Sequence, residues 1–60
     1  DLAIHGNDVL SLGVPEGKIV GDILRHILDM VINGDVPNEI EEQIDIAMQY
    51  LTEHQHEWKE

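Results

Sequence analysis

The stretch "LGVPEGKIVGDILRHILDMVINGDVPNE", residues 12–39, decides how this chain folds. Ile19, Val20, Ile23, Leu24, Ile27, Leu28, Met30 and Val31 recur at i, i+3, i+4 and i+7, the spacing of one broad helical face. Gly17 stands where an N-cap belongs. Asn33-Gly34 closes the pattern, and Pro37 follows at the distance expected beyond a helix stop. A face this wide predicts a helix contacted on more than one side.

The flanking residues extend the same reading. Asp1 to His5 alternates weakly and reads as an extended lead-in, broken at Gly6. Asn7 is a good N-cap, Asp8 suits a first turn, and Val9, Leu10 and Leu12 give a short helix over roughly residues 8–12. Gly13 is placed to stop it in the left-handed region, and Pro15 restricts Val14 to an extended conformation. Gly13, Pro15, Gly17 and Gly21 are thus the structural turn residues. Beyond Pro37, Asn38-x-x-Glu41 predicts a variant capping box opening a third helix, with Glu39, Glu41 and Glu42 at its positive end. Its stripe is Ile40, Ile44, Ala47, Met48 and Leu51, with Ile46 and Tyr50 to one side. The expected core sets Ile23, Leu24, Ile27 and Leu28 against Ile40, Ile44, Ala47 and Leu51. The tail "TEHQHEWKE" is polar and either extends the third helix or frays. The fold class is all-α: a small three-helix domain of short helix, tight Gly/Pro turn, long helix and third helix packed back.

Composition narrows the function. Thirteen acidic residues face three basic ones, Lys18, Arg25 and Lys59, for a net charge of -10. That argues against autonomous nucleic-acid binding, whose phosphate contacts come mostly from Lys and Arg. It also argues against anionic lipid surfaces. No apolar run approaches the roughly 20 residues of a membrane span. The absence of Cys rules out disulfide and thiolate metal sites and fits a reducing, cytoplasmic compartment. At 60 residues, with two aromatics, a self-sufficient core is hard to build. Together with a start at Asp1, this suggests that residues 1–60 are a single helical segment of something larger.

Little in the chain suggests chemistry. Ser11 is the only Ser and Thr52 the only Thr, and neither sits beside a base in a recognisable motif. On a continuous helix His54 and His56 point about 200° apart and share no face. Glu53 with His56, or His56 with Glu60, makes only a poor two-ligand site, so no metal site is expected. His5 and His26 are isolated. Asp35, Asn38 and the nearby glutamates lack the ligand alternation and central Gly of a calcium loop. An acyl-carrier role needs Ser after Asp at a helix start, whereas Ser11 lies between Leu10 and Leu12. The turn is more informative: Gly17 and Lys18 place backbone N–H groups and one positive charge at a helix start, where anions bind. The competing explanation is that the glycines only let two helices turn sharply.

The order of blocks carries a resemblance. Asp1, Leu2, Ile4, Gly6 and Asp8 open the chain; Gly13, Pro15 and Gly17 form the turn; Val20-Gly21 steps into the long helix; Val31, Gly34 and Asn38 follow. Over about residues 1–45 this resembles the C-terminal part of bacterial tRNA nucleotidyltransferases, the CCA-adding enzymes and their poly(A) polymerase relatives. Two departures are Val9 where Leu is usual, and Pro15-Glu16-Gly17-Lys18 where Pro-Gly-Pro is common. The resemblance implies a parent enzyme using ATP or CTP and Mg in a catalytic domain that this segment does not contain. It further implies that this segment helps hold tRNA, against neighbouring domains of the parent, with Gly17 and Lys18 as a phosphate contact. No DNA or membrane partner is implied. An alternative of another class is a small acidic protein–protein interaction module.

Overall fold

The computed structural model describes residues 1–59. Four helices follow the lead-in, which bends at Ala3 and Ile4 instead of running extended: α1 (Gly6–Leu10), α2 (Lys18–Ile32), α3 (Ile40–Glu53) and α4 (Gln55–Trp58). No strand occurs among the described residues. The Cα radius of gyration is 10.7 Å, close to the roughly 10 Å of a close-packed chain of this length.

The sequence expects α1 two residues later than it lies. Its N-cap is His5 rather than Asn7, because the Asp8 carboxylate reaches back to accept from the His5 N–H at 2.8 Å. The turn behaves as its glycines dictate: Gly13 takes φ 97°, and Val14 beyond it is buried. α2 runs from the Gly17 N-cap to Ile32. Its end is a Schellman motif. Gly34 sits at φ 80°, its N–H donates to the Val31 carbonyl at 3.0 Å, and the Asp35 N–H donates to Met30 at 2.8 Å. A residue with a Cβ is strained at such a φ, so glycine is what makes this stop cheap.

α3 returns antiparallel to α2. The ring of His26, midway along α2, lies 5.1 Å from that of Tyr50, near the end of α3. α3 starts at Ile40, two residues beyond Asn38, and no side chain caps it. The expected Asn38 capping box does not form, because the Asn38 amide is engaged elsewhere.

The buried core is Ile4, Val9, Val14, Ile19, Ile23, Ile27, Ala47 and Leu51. Within it, Ile19, Ile23 and Ile27 form one four-residue ridge on α2, and Gln43, Ala47 and Leu51 form another on α3. The sequence expectation holds for Ile23, Ile27, Ala47 and Leu51, while Leu24 and Ile44 pack at the core's edge. It fails for Leu28 and Ile40, which are 42% and 40% exposed; Met48, on the expected α3 stripe, is 52% exposed. Their places are taken by residues from the first fourteen: the lead-in and α1 lie over the α2–α3 pair and send Ile4, Val9 and Val14 inward. The tail extends α3 only through Thr52 and Glu53. The helix breaks at His54 (φ -118°, ψ 30°), and α4 folds back so that the Trp58 Nε1–H donates to the Leu51 carbonyl at 2.9 Å.

Two substitutions test this packing. Ile27→Asp places an uncompensated charge at a fully buried site. It is expected to abolish the cooperative thermal transition seen by circular dichroism, whereas Ile32→Asp, at a position 70% exposed, is expected to keep it. Gly13→Val is expected to cost about 1–3 kcal/mol through backbone strain, well above the effect of Glu16→Ala in the same turn. Equal losses in chemical denaturation would show that the left-handed stop is not needed.

Candidate nucleic-acid interface

The start of α2 holds the anion-binding candidates. Gly17 caps the helix at φ 150°, with its carbonyl accepting from the Val20 N–H at 3.2 Å. The first backbone N–H groups of α2 open outward, as at any helix start. Lys18 is 86% exposed, and its Nζ donates to the Asp22 carboxylate at 2.9 Å. That hydrogen bond, followed by the Asp22 charge, raises the Lys18 pKa above its ordinary value. A phosphate arriving here has to share Lys18 with Asp22. The charges of Glu57 in α4 and of Tyr50 near the end of α3 raise the Lys18 pKa further. Pro15 is exposed in the turn beside Gly13. Gly21 is not a turn residue: α2 already begins at Lys18, and Gly21 sits exposed inside it with open space where a Cβ would stand.

The more elaborate polar arrangement involves Gln43, the only fully buried polar side chain among the described residues. Its Oε1 accepts from the Ile4 N–H at 2.9 Å. Its Nε2 donates to the Asn38 Oδ1 at 2.9 Å and to the Pro37 carbonyl at 3.3 Å. Asn38 completes the clamp: Oδ1 also accepts from the Ala3 N–H at 2.8 Å, and Nδ2 donates to the Asp1 carbonyl at 2.7 Å. Two side-chain amides thereby serve the lead-in as a neighbouring strand would. No buried side-chain polar atom among the described residues is left without a partner. Sequence reading missed Gln43, although it stands four residues before Ala47 and eight before Leu51, in line with the buried ridge.

The tail histidines come closer than a continuous helix permits. His54 stacks on Tyr50 with ring centroids 4.0 Å apart, and its Nδ1 lies 2.9 Å from the Tyr50 carbonyl. The break at His54 brings the His56 ring to 6.4 Å from it. Even so, no three His, Asp or Glu side chains among the described residues gather where a metal ion could be held. Glu60, the proposed partner of His56, lies outside the described residues. Ser11 and Thr52 are spent on their own helices, donating to the carbonyls of Asn7 and Met48.

The fold is that of a small all-α unit. The family model described as tRNA nucleotidyltransferase domain 2 matches residues 1–47, which is most of the chain. The chain belongs to that family. No curated protein and no solved structure matches it. No helix among the described residues is long and apolar enough to cross a membrane.

Gln43→Leu leaves the Ile4 N–H and the Asn38 amide without their buried partner. It is expected to lower stability by about 1–3 kcal/mol in chemical denaturation, despite adding apolar surface to the core. A Gln43→Leu protein as stable as the parent would show that the clamp carries no weight. Alkaline titration offers a second check. Burial, then the charges of Glu57 and Asp22, raise the Tyr50 pKa above its ordinary 10.0, and Lys18 is likewise raised above 10.5. Both groups favour the folded state while protonated, so their contribution is full below pH 10 and is lost as pH climbs past it. The melting temperature is expected to start falling from about pH 10 in the parent and to fall less steeply in Tyr50→Phe.

Proposed function

We propose that this chain is the structural and tRNA-positioning C-terminal segment of a nucleotidyltransferase that adds nucleotides, in the manner of the CCA-adding enzymes, to tRNA 3′ ends in the cytoplasm. One observation carries the reading. The matched residues 1–47 contain α1, α2 and the whole Asn38–Gln43 clamp, yet no nucleophile–base pair and no cluster of metal ligands. The family supplies the reaction class, and the segment supplies a shaped support. ATP, CTP and Mg belong on this reading to a catalytic domain of the parent, since the carboxylates here do not gather into a set that fits the metal.

The charge of -10 makes the segment a dependent partner in RNA binding, with basic surface on neighbouring domains supplying most of the attraction. Its long-range repulsion is screened beyond about 8 Å at physiological salt. The direct contact proposed is one phosphate at Gly17 and Lys18, where helix dipole, outward N–H groups and ammonium coincide.

The test is tRNA affinity against salt in the parent enzyme. Lys18→Glu is expected to weaken binding and to flatten the logarithmic salt slope by about one phosphate contact. Turnover of bound tRNA should be unchanged. Asp22→Asn releases Lys18 from its intramolecular pair and is expected to shift affinity the other way. Curves identical to the parent's for both variants would remove the contact and leave the segment as scaffold.

A further inference from the structure

Four large apolar side chains stay exposed, and three of them flank the connection between α2 and α3, while Met48 lies about two turns further along α3. Ile32 closes α2 at 70% exposure, Leu28 lies one turn before it at 42%, and Ile40 opens α3 at 40%. The short connection 33–39 and the antiparallel course of the two helices bring Ile32 and Ile40 to the same end of the molecule. Isolated exposed apolar residues need no explanation, but Leu28 and Ile32 stand one helical turn apart and Ile40 lies just across the connection 33–39.

The charges around them select the partner. Asp29, Asp35, Glu39, Glu41 and Glu42 flank these residues in sequence, and no Lys or Arg lies between Arg25 and Lys59. The last turn of α2 carries no basic side chain to offset the negative end of its dipole, and the first turn of α3 adds Glu41 and Glu42. A second copy of the chain would bring another charge of -10 to the same place, so self-pairing is opposed. An anionic ligand is opposed for the same reason. We propose that this end is a docking surface for a cationic amphipathic helix, whose apolar stripe covers Leu28, Ile32 and Ile40 while flanking Lys or Arg side chains meet the acidic rim. Such helices seat apolar residues at i, i+3, i+4 and i+7 on a facing groove. Three side chains are far fewer than the roughly 20–30 residues a side of a stable free complex. Binding in trans is therefore weak, and the surface suits a helix tethered in the same assembly, where effective concentration is high. The inference rests on packing and charge and does not depend on the tRNA reading.

The experiment uses the 60-residue chain, a synthetic 14-residue helix of leucine and lysine in amphipathic order, and the same peptide with glutamate for lysine. Amide chemical-shift mapping is expected to show saturable perturbation of residues 28–41 by the lysine peptide, weakening as salt is added, and at least tenfold weaker binding of the glutamate peptide. Ile32→Ser with Ile40→Ser should reduce affinity at least tenfold while leaving the circular dichroism melt in place. Perturbation centred elsewhere, equal binding of both peptides, or undiminished binding by the double variant would overturn the proposal. Concentration-dependent dimerisation through residues 28–41 in sedimentation would overturn it in favour of a second copy.

Discussion

The buried amide of Gln43 is the constraint around which the first half of the chain is arranged. An amide group with no solvent access has to find partners for its carbonyl and both N–H groups. Gln43 does so on Ile4, Asn38 and Pro37, residues that come from two separate parts of the chain. That arrangement fixes where the lead-in runs, which in turn drives Ile4 into the core at 1% exposure. Remove the amide and the Ile4 N–H loses its acceptor, since no strand among the described residues supplies another. The core would then lose Ile4, and the α2–α3 pair would lose part of its cover.

This economy explains how a chain with two aromatic residues and no disulfide packs at all. Aliphatic ridges on α2 and α3 supply the burial, and specific amide contacts supply the register. It also explains why so little of the surface is chemically distinctive. Polar side chains that attract attention in the sequence, among them Asn38, Ser11 and Thr52, are taken up by backbone partners. Among the exposed charged side chains carboxylates outnumber cations, with Lys18 itself held by Asp22.

The sequence was legible where the signal was local. Gly13, Gly17 and Gly34 adopt positive φ where the pattern breaks, and α2 starts and stops at its punctuation. It misled where two local signals competed for one residue. Asn38 is a good cap by type, but long-range partners at Asp1 and Ala3 outbid the helix start. Periodicity placed Leu28, Ile40 and Met48 on apolar faces without showing that α1 and the lead-in cover only part of those faces. Gln43 was passed over because polarity was read as exposure, although its spacing to Ala47 and Leu51 already put it in the buried line. The histidines were set on opposite faces by assuming one continuous helix, and the break at His54 removed that premise. At the candidate interface, Lys18 could be placed at a helix start from sequence, while its pairing with Asp22 was equally readable from the i, i+4 spacing.

Trp58 has an optical consequence. It is the only tryptophan in the chain, and its indole is anchored to the Leu51 carbonyl at the far end of the folded-back tail. Its emission therefore reports docking of residues 55–58 onto α3, whereas far-ultraviolet ellipticity is dominated by the fifteen residues of α2 and the fourteen of α3. The natural chain thus carries its own two-channel label. Loosening of the tail and melting of the helical pair are separable in one sample, without any dye or added chromophore.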